Sequence, residues 1–416
     1  MSKAADCRKP SSHPLPGAAA PTSQRRLLAV NQSVSTLFRD LADGMAAQGV
    51  EVKMLAGYLE LSQGYTPPFE WIPGCPLQKA PAWRRIWTWS KFTFQAICAM
   101  IRNRHAVALL VTNPPLVPWV GPMMRRLFGV RYAELVYDIY PDVMARMGMV
   151  RKGSLLYRFV RRLSNRAHRR AECVITLGRC MRQTVLDQLD DPRAVEVHVI
   201  PNWANTEEIV PMPHASNPFA AAHGLTDKFV VMYSGAFGAT HDIDSIVLAA
   251  ERLADLPELR IVLIGGGTRE AQVRQLVDQK RLPNLILLPW QPVDQVKYSL
   301  TAADCHVVCL DEGYEGISVP SKAYTALAAG AALLAVSPPD TELTDMVDQH
   351  ECGIWLRPRD VQGLSQAIRK LYEDRPALER MKSNSRRAAV EHYSKARCVE
   401  QYVKLLMPLL EESVGK

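Results

Sequence analysis

Short, almost wholly apolar runs recur along the chain at residues 25–30, 50–55, 106–111, 130–137, 173–177 and 195–200, and again at 228–234, 259–267, 285–288, 305–310, 331–336 and 351–356. Runs of this length without polar alternation predict strands covered on both faces, as in a parallel sheet. The segments between them carry helical spacing. Over residues 35–48, Leu37, Leu41 and Met45 fall on one face. Further helices are expected from residue 83, over 118–128, 154–171, 361–371, 376–393 and 395–410, and from about residue 244. Strand alternating with helix predicts an α/β chain. At 416 residues the chain is long enough for two cores. A Pro- and Asn-rich stretch at 201–218 reads as the linker between domains at 25–210 and 211–394. Residues 1–24, built of Ser, Pro, Ala and Gly without periodicity, are expected to be a disordered tail.

The stretch 311–337 says most about chemistry. A strand end leads into a loop holding Glu312, Gly313, Glu315, Gly316 and Ser318, and Pro320-Ser321-Lys322 then opens a short Ala-rich helix closed by Gly330. Ser321 is placed to cap that helix. Backbone N–H groups at a helix start and one lysine suit a phosphate, and nearby carboxylates suit sugar or ribose hydroxyls. The plainer reading is an ordinary crossover with a tight turn. A second junction, Gly235-Ala236-Phe237-Gly238, follows a strand and precedes His241. Such a junction can cradle a phosphate, although a single match is weak evidence. His241 would either donate to that phosphate or sit at the surface beside a helix cap. Asp138 and Asp142 follow the strand at 130–137, where open parallel sheets bind ligands. The alternative has Asp142 capping a helix and Asp138 facing water. Residues 31–35, after the first strand, contain no glycine, so a ligand there would meet side chains.

Charge adds a surface to this picture. The net charge of +8 is concentrated between Lys79 and Arg170, which hold 18 Lys and Arg against 3 acids, leaving the rest of the chain net acidic. That asymmetry points to a polyanionic partner. Within 83–104, Trp83, Trp87, Trp89, Phe92 and Phe94 are interleaved with Arg84, Arg85 and Lys91, and Met123, Met124, Arg125, Arg126, Leu127 and Phe128 repeat the mixture. Aromatic and cationic side chains around an apolar face suit the headgroup region of an anionic bilayer. The competing explanation is a core helix with snorkelling arginines. No nucleic-acid motif accompanies the charge, so nucleic acid is not expected as a partner. Nine cysteines form no C-x-x-C pair and no cluster at metal spacing, which favours a reducing compartment and no metal site. No run approaches the roughly 18 apolar residues of a spanning helix, and no signal-peptide core is present. A cytoplasmic location is expected.

The order of Asn113-Pro114-Pro115, Asp138-Ile139-Tyr140-Pro141-Asp142, Ile200-Pro201-Asn202-Trp203, Tyr233-Ser234-Gly235, Leu263-Ile264-Gly265-Gly266-Gly267 and Pro320-Ser321-Lys322 through Gly330 resembles glycosyltransferase family 4, over about residues 25–393. It is most similar to members that build bacterial O-antigen and capsule sugars on a polyprenyl diphosphate carrier. The resemblance implies a GT-B architecture, two Rossmann-like domains across a cleft, with a last helix at 395–416 returning to the first domain. It implies metal-independent, retaining transfer with no cofactor beyond the nucleotide-sugar donor. Carried over by position, Gly235, Ser321 and Lys322 would contact the diphosphate. Glu315 and Gly316 would approach the donor sugar, Trp290 and Gln291 would meet the base, and Asp138 would face the reaction centre. Where members carry two glutamates this chain has Ile317 and Thr325. Thr325 can bond a ribose hydroxyl but supplies no charge, and Glu312 or Glu315 would take the first glutamate's part. Ala239-Thr240-His241 stand where many members have a basic residue, and the glycine-rich first loop is absent.

The leading expectation is a membrane-associated retaining glycosyltransferase. It would move a sugar from a nucleotide diphosphate donor, UDP-linked in this reading, onto a lipid-linked glycan. Its catalytic residues would be Asp138, Lys322 and Glu315, and the basic aromatic surface would hold it on the inner face of the cell membrane. Two alternatives stay open: a nucleotide-sugar epimerase of the same fold, and a lipid-binding assembly protein with a decayed donor site.

Overall fold

The computed structural model describes residues 25–61, 64–78, 80–238 and 241–412. The expected tail at 1–24, Ala239, Thr240 and the last residues of the expected return helix lie outside these. Two large parallel sheets form the frame of the molecule, beside a two-stranded parallel pair of Ser33–Val34 and Tyr58–Leu59. In the first, strands run in the order Glu70–Pro73, Glu51–Ala56, Arg26–Val30, Val107–Val111, Tyr132–Val136, Val174–Thr176 and Val197–Val199. In the second, the order is Leu285–Leu288, Leu259–Ile264, Phe229–Ser234, Cys305–Cys309, Ala332–Val336 and Gly353–Leu356. Val107–Val111, Cys305–Cys309 and Ala332–Val336 are buried at every position. Helices cover both faces of such strands, which is why they read as unbroken apolar runs.

In each sheet the strand order reverses beside the first strand, between Arg26–Val30 and Val107–Val111 and between Phe229–Ser234 and Cys305–Cys309. Loops at that reversal splay apart and leave a crevice at the carboxyl ends of the strands. Gly235, Asp311 and the loop to Lys322 follow the second pair. Asp138 follows Tyr132–Val136, two strands away from Arg26–Val30 in the first sheet.

The C-terminal helix, Lys395–Glu412, returns to the first sheet's helix Thr36–Ala47. A Cβ at Gly44 would lie 2.1 Å from Val399 Cγ1, so only glycine allows this approach. Lys395 pairs with the buried Asp40 at 2.8 Å, and Asp40 also accepts from Trp203 Nε1 at 3.3 Å. The two halves meet again across the cleft. Glu342 Oε1 accepts from the Cys180 and Met181 amides at the start of helix Arg179–Gln188, and Arg179 makes a two-pronged pair with Asp345 at 2.9 and 3.0 Å.

Several elements depart from the sequence expectation. The edge strand Glu70–Pro73 was not expected, and its pattern is exposed rather than apolar. Short helices also occur at Asp142–Arg146, where a helix was one of two open readings, and at Glu342–His350, where none was singled out. Ser321 is no cap: it has helical dihedrals and makes no capping hydrogen bond, so helix Lys322–Ala328 starts without one.

Candidate functional site

A cavity of about 690 Å³ opens between the two sheets, lined from one side by Asp138, Val143, Arg146 and Met147 and from the other by His241, Thr268, Tyr314, Ser318, Ser321 and Lys322, among others. Its size is that of an ordinary small-ligand site. A second cavity of about 670 Å³, between the linker and helix Arg375–Glu391, has its main cations engaged: Lys382 with Asp304 and Glu379, Arg386 with three main-chain carbonyls.

Lys322 is, with Arg146, one of the cations lining the cleft. Its Nζ donates to Tyr233 Oη at 2.5 Å and stands 4.4 Å from the Tyr233 ring. Burial lowers its pKa to about 8, against a small opposing pull from Cys309. No carboxylate neutralises it among the described residues, so an arriving anion would be its first charged partner. Gly235 makes this position possible. It has φ of +150°, and a Cβ there would lie 2.2 Å from Lys322 Cε. Gly235→Ala is therefore expected to displace Lys322 and weaken UDP binding about tenfold or more, a change of ~1.4 kcal/mol that calorimetry resolves.

His241 lines the same wall. Burial, and then Lys322, push its pKa down to about 3, so it faces the cavity as a neutral imidazole at pH 7. A neutral ring can donate one hydrogen bond to a phosphate but adds no charge. Opposite, burial raises the Asp138 pKa to about 6. Thr112 Oγ1 accepts from the amides of Tyr137 and Asp138 at 3.0 and 3.3 Å and fixes the turn that presents the carboxylate. Asp142, the other sequence candidate, is tied to Tyr157 Oη and Gln188 Nε2 and does not line the cavity.

The remaining candidates are scattered. Thr325 Oγ1 donates back to Lys322 O at 3.0 Å within its own helix. Glu315 and Gly316 do not line the cavity; a Cβ at Gly316 would lie 2.4 Å from Thr184 Oγ1, so this glycine serves the approach of helix Arg179–Gln188. Glu312 and Asp311 are engaged by Arg359. Trp290 is exposed beyond strand Leu285–Leu288, with its indole nitrogen 3.1 Å from where a Gly266 Cβ would be, and Gln291 folds back on Pro289 O. Among the described residues no group of three or more His, Cys, Asp or Glu is placed to hold a metal ion. Arg146 and Tyr314, cavity residues that sequence reasoning did not single out, lie 5.3 Å apart as cation and ring.

The basic surface is confirmed as exposed and apolar in part. Trp83, Ile86, Trp87, Phe94 and Ile101 of helix Ala82–Arg102 face outward while Phe92, Ala96 and Met100 face the core. Met123, Leu127 and Phe128 are exposed on the neighbouring helix Leu116–Phe128, and Leu155, 84% exposed, with Leu156 and Phe159 extends the patch on the basic helix Leu155–Arg170. A helix apolar on both faces is not explained by the core alone. No helix among the described residues is long and apolar enough to cross a membrane.

Residues 34–203 match the sequence model described as a glycosyl transferase 4-like domain, and residues 217–388 match that described as glycosyl transferases group 1. The chain is 29% identical over 322 residues to WbjE of Pseudomonas aeruginosa, named as a probable glycosyltransferase, with 77% of this chain and 79% of that one covered. It is 24% identical over 369 residues to WcaI of Escherichia coli strain K12, named as a colanic acid biosynthesis glycosyl transferase, covering 80% and 86%. In fold it is similar to Anabaena Alr3699/HepE solved in complex with UDP, with a TM-score of 0.70 at 15% identity over 92% of this chain and 100% of that one.

Proposed function

The chain belongs to glycosyltransferase family 4, with the GT-B architecture, and from that premise we propose that it is a retaining, metal-independent transferase. It moves a sugar from a UDP-linked donor to a polyprenyl diphosphate-linked glycan in bacterial surface-polysaccharide synthesis. The observation that carries this reading is the pairing of Lys322 and Asp138 across one cavity, each from a different sheet. Loss of the sugar leaves negative charge on the diphosphate. Lys322, unneutralised and half-buried, stabilises that charge in a site where screening by water is weak. Helix Lys322–Ala328 has only seven residues, so the lysine rather than the helix dipole is the main source of field. Gly235 offers bare backbone beside it, and Asp138 accepts the proton of the attacking hydroxyl or stabilises the charge that develops on the sugar. HepE's complex with UDP supports a uridine donor, and WcaI's name, which gives colanic acid biosynthesis, supports a polysaccharide product.

The outward apolar and basic face supports docking to anionic lipid, where each Lys or Arg near the surface adds about 1 kcal/mol. Transfer is tested by mass spectrometry of products from UDP- and GDP-sugars offered with a short prenyl diphosphate sugar, with NMR of the anomeric centre. A single retained-configuration product from a UDP-sugar is expected; no product from any donor would remove the transferase reading. Flotation should place the protein with anionic liposomes and not with neutral ones. Equal flotation with both would remove the electrostatic part of the docking.

A further inference from the structure

Arg359 holds a left-handed backbone angle, φ +64°, in the turn between strand Gly353–Leu356 and helix Val361–Glu373. Glycine is the usual occupant of such a position, and a long side chain kept there at a conformational cost points to contacts that hold it. The Arg359 amide donates to Asp242 Oδ2 at 2.7 Å. Its Nη2 donates to both carboxylate oxygens of Asp311, at 2.9 and 3.0 Å, and Nη1 reaches Glu312 Oε2 at 3.5 Å.

These partners belong to two separate segments of the cavity wall. Asp242 caps helix Ile243–Arg252, with Oδ1 accepting from the Ser245 amide at 3.3 Å, and it directly follows His241, which lines the cavity. Asp311 directly follows Leu310 and opens the loop that carries Tyr314 and Ser318, all three of which line the cavity. A direct contact between the segments, Cys309 Sγ to Asp242 O at 3.9 Å, is long, and a thiol is a weak donor. Arg359 joins them from behind with charge-assisted hydrogen bonds, the stronger kind. The same loop meets the other half of the molecule. Ile317 O accepts from the Ile139 amide at 3.3 Å, one residue from Asp138, and Glu312 O accepts from Arg146 on the opposite wall.

We propose that Arg359 is a positioning residue of the donor site. It stands behind the cavity rather than in it, and ties the loop opening at Asp311 to the helix start at Asp242. The two segments then meet a nucleotide diphosphate as one preformed wall. This rests on the donor reading given above. A preformed wall binds more tightly because less order has to be acquired with the ligand. The Arg359 side chain is 62% exposed, so water screens its ion pairs and the effect is modest.

Arg359→Gly removes the guanidinium and suits the backbone angle, which separates the tie from folding. Amide hydrogen exchange in the unliganded variant should rise about threefold or more at both 241–245 and 311–318, and stay as in the wild type over the rest of the second half. Calorimetry should show UDP binding about fivefold weaker. Arg359→Lys, whose single ammonium cannot reproduce the fork on Asp311 and Glu312, should recover part of that loss. Asp311→Asn should weaken UDP binding in the wild type and add little in the glycine variant, where its partner is already gone. Faster exchange confined to 357–360, or spread evenly over the second half as a stability defect would give, would overturn the proposal. So would a glycine variant that binds UDP as tightly as the wild type. The exchange measurement needs no nucleotide, so the tie can stand while the UDP reading fails, and it can fail while UDP binds.

Discussion

Lys322→Ala is expected to lower kcat by about 10²–10³-fold, the usual loss when one group that stabilises transition-state charge is removed. Steady-state kinetics checks this, with thermal unfolding beside it. The fold should not suffer. Burial lowers the lysine's folded pKa from 10.5 to about 8, so the charged form is disfavoured in the free protein. That penalty is fully present below pH 8 and disappears as pH rises toward the unfolded value. Removing the side chain removes the penalty, and the variant's Tm at pH 7 should equal or exceed that of the wild type by a few degrees. A lysine kept in a site at a cost to stability is poised for a ligand rather than for packing. A variant that loses activity because it unfolds would point instead to a structural role for the Lys322–Tyr233 contact.

Asp138→Asn should abolish transfer to the same order, about 10²–10⁴-fold if the carboxylate takes a proton from the attacking hydroxyl. Its folded pKa, about 6 against 3.8 unfolded, is raised by burial. The ionised form is therefore the destabilised one, and the cost grows as pH rises from about 4 to 6. Asparagine removes that cost at nearly constant volume, so stability at neutral pH is retained or slightly improved. The acid limb of the wild-type kcat/KM profile should fall below about pH 6. An acid limb near pH 4 would mean that the group acts from water, and full activity in the asparagine variant would remove it from the chemistry.

The strands were legible because their chemistry is local. Val107–Val111 and Ala332–Val336 are covered on both faces, and a run of apolar residues with no alternation is the direct trace of that. Strand Glu70–Pro73 left no such trace, since a four-residue edge strand that is mostly exposed and ends in proline is too short to show a pattern that separates it from a loop. Lys322 and Gly235 were each visible as sequence features, but their contact, between residues far apart in the chain, was not. The same holds for Gly316, whose lack of a side chain is required by Thr184 from the other half of the molecule. Asp138 was already favoured over Asp142 in sequence, since it directly follows the strand, but nothing there showed where Asp142 goes. The tertiary partners Tyr157 and Gln188 tie Asp142 down away from the cavity. Arg85 and Trp89 read as part of an aromatic and cationic face suited to lipid, whereas their Nε and Nε1 atoms are buried by tertiary neighbours that sequence does not encode.

The central claim, that Lys322 meets the diphosphate as a cation, is tested most directly by the pH dependence of UDP binding. Calorimetry from pH 7 to 9.5 would compare the wild type with Lys322→Met. An anion binding beside a lysine whose free pKa is about 8 favours the protonated form. UDP affinity should therefore fall by up to about tenfold per pH unit above 8 with proton uptake on binding, while the variant binds weakly and takes up none. A wild-type affinity unchanged from pH 8 to 9.5, or a methionine variant that binds UDP as tightly as the wild type, would contradict it.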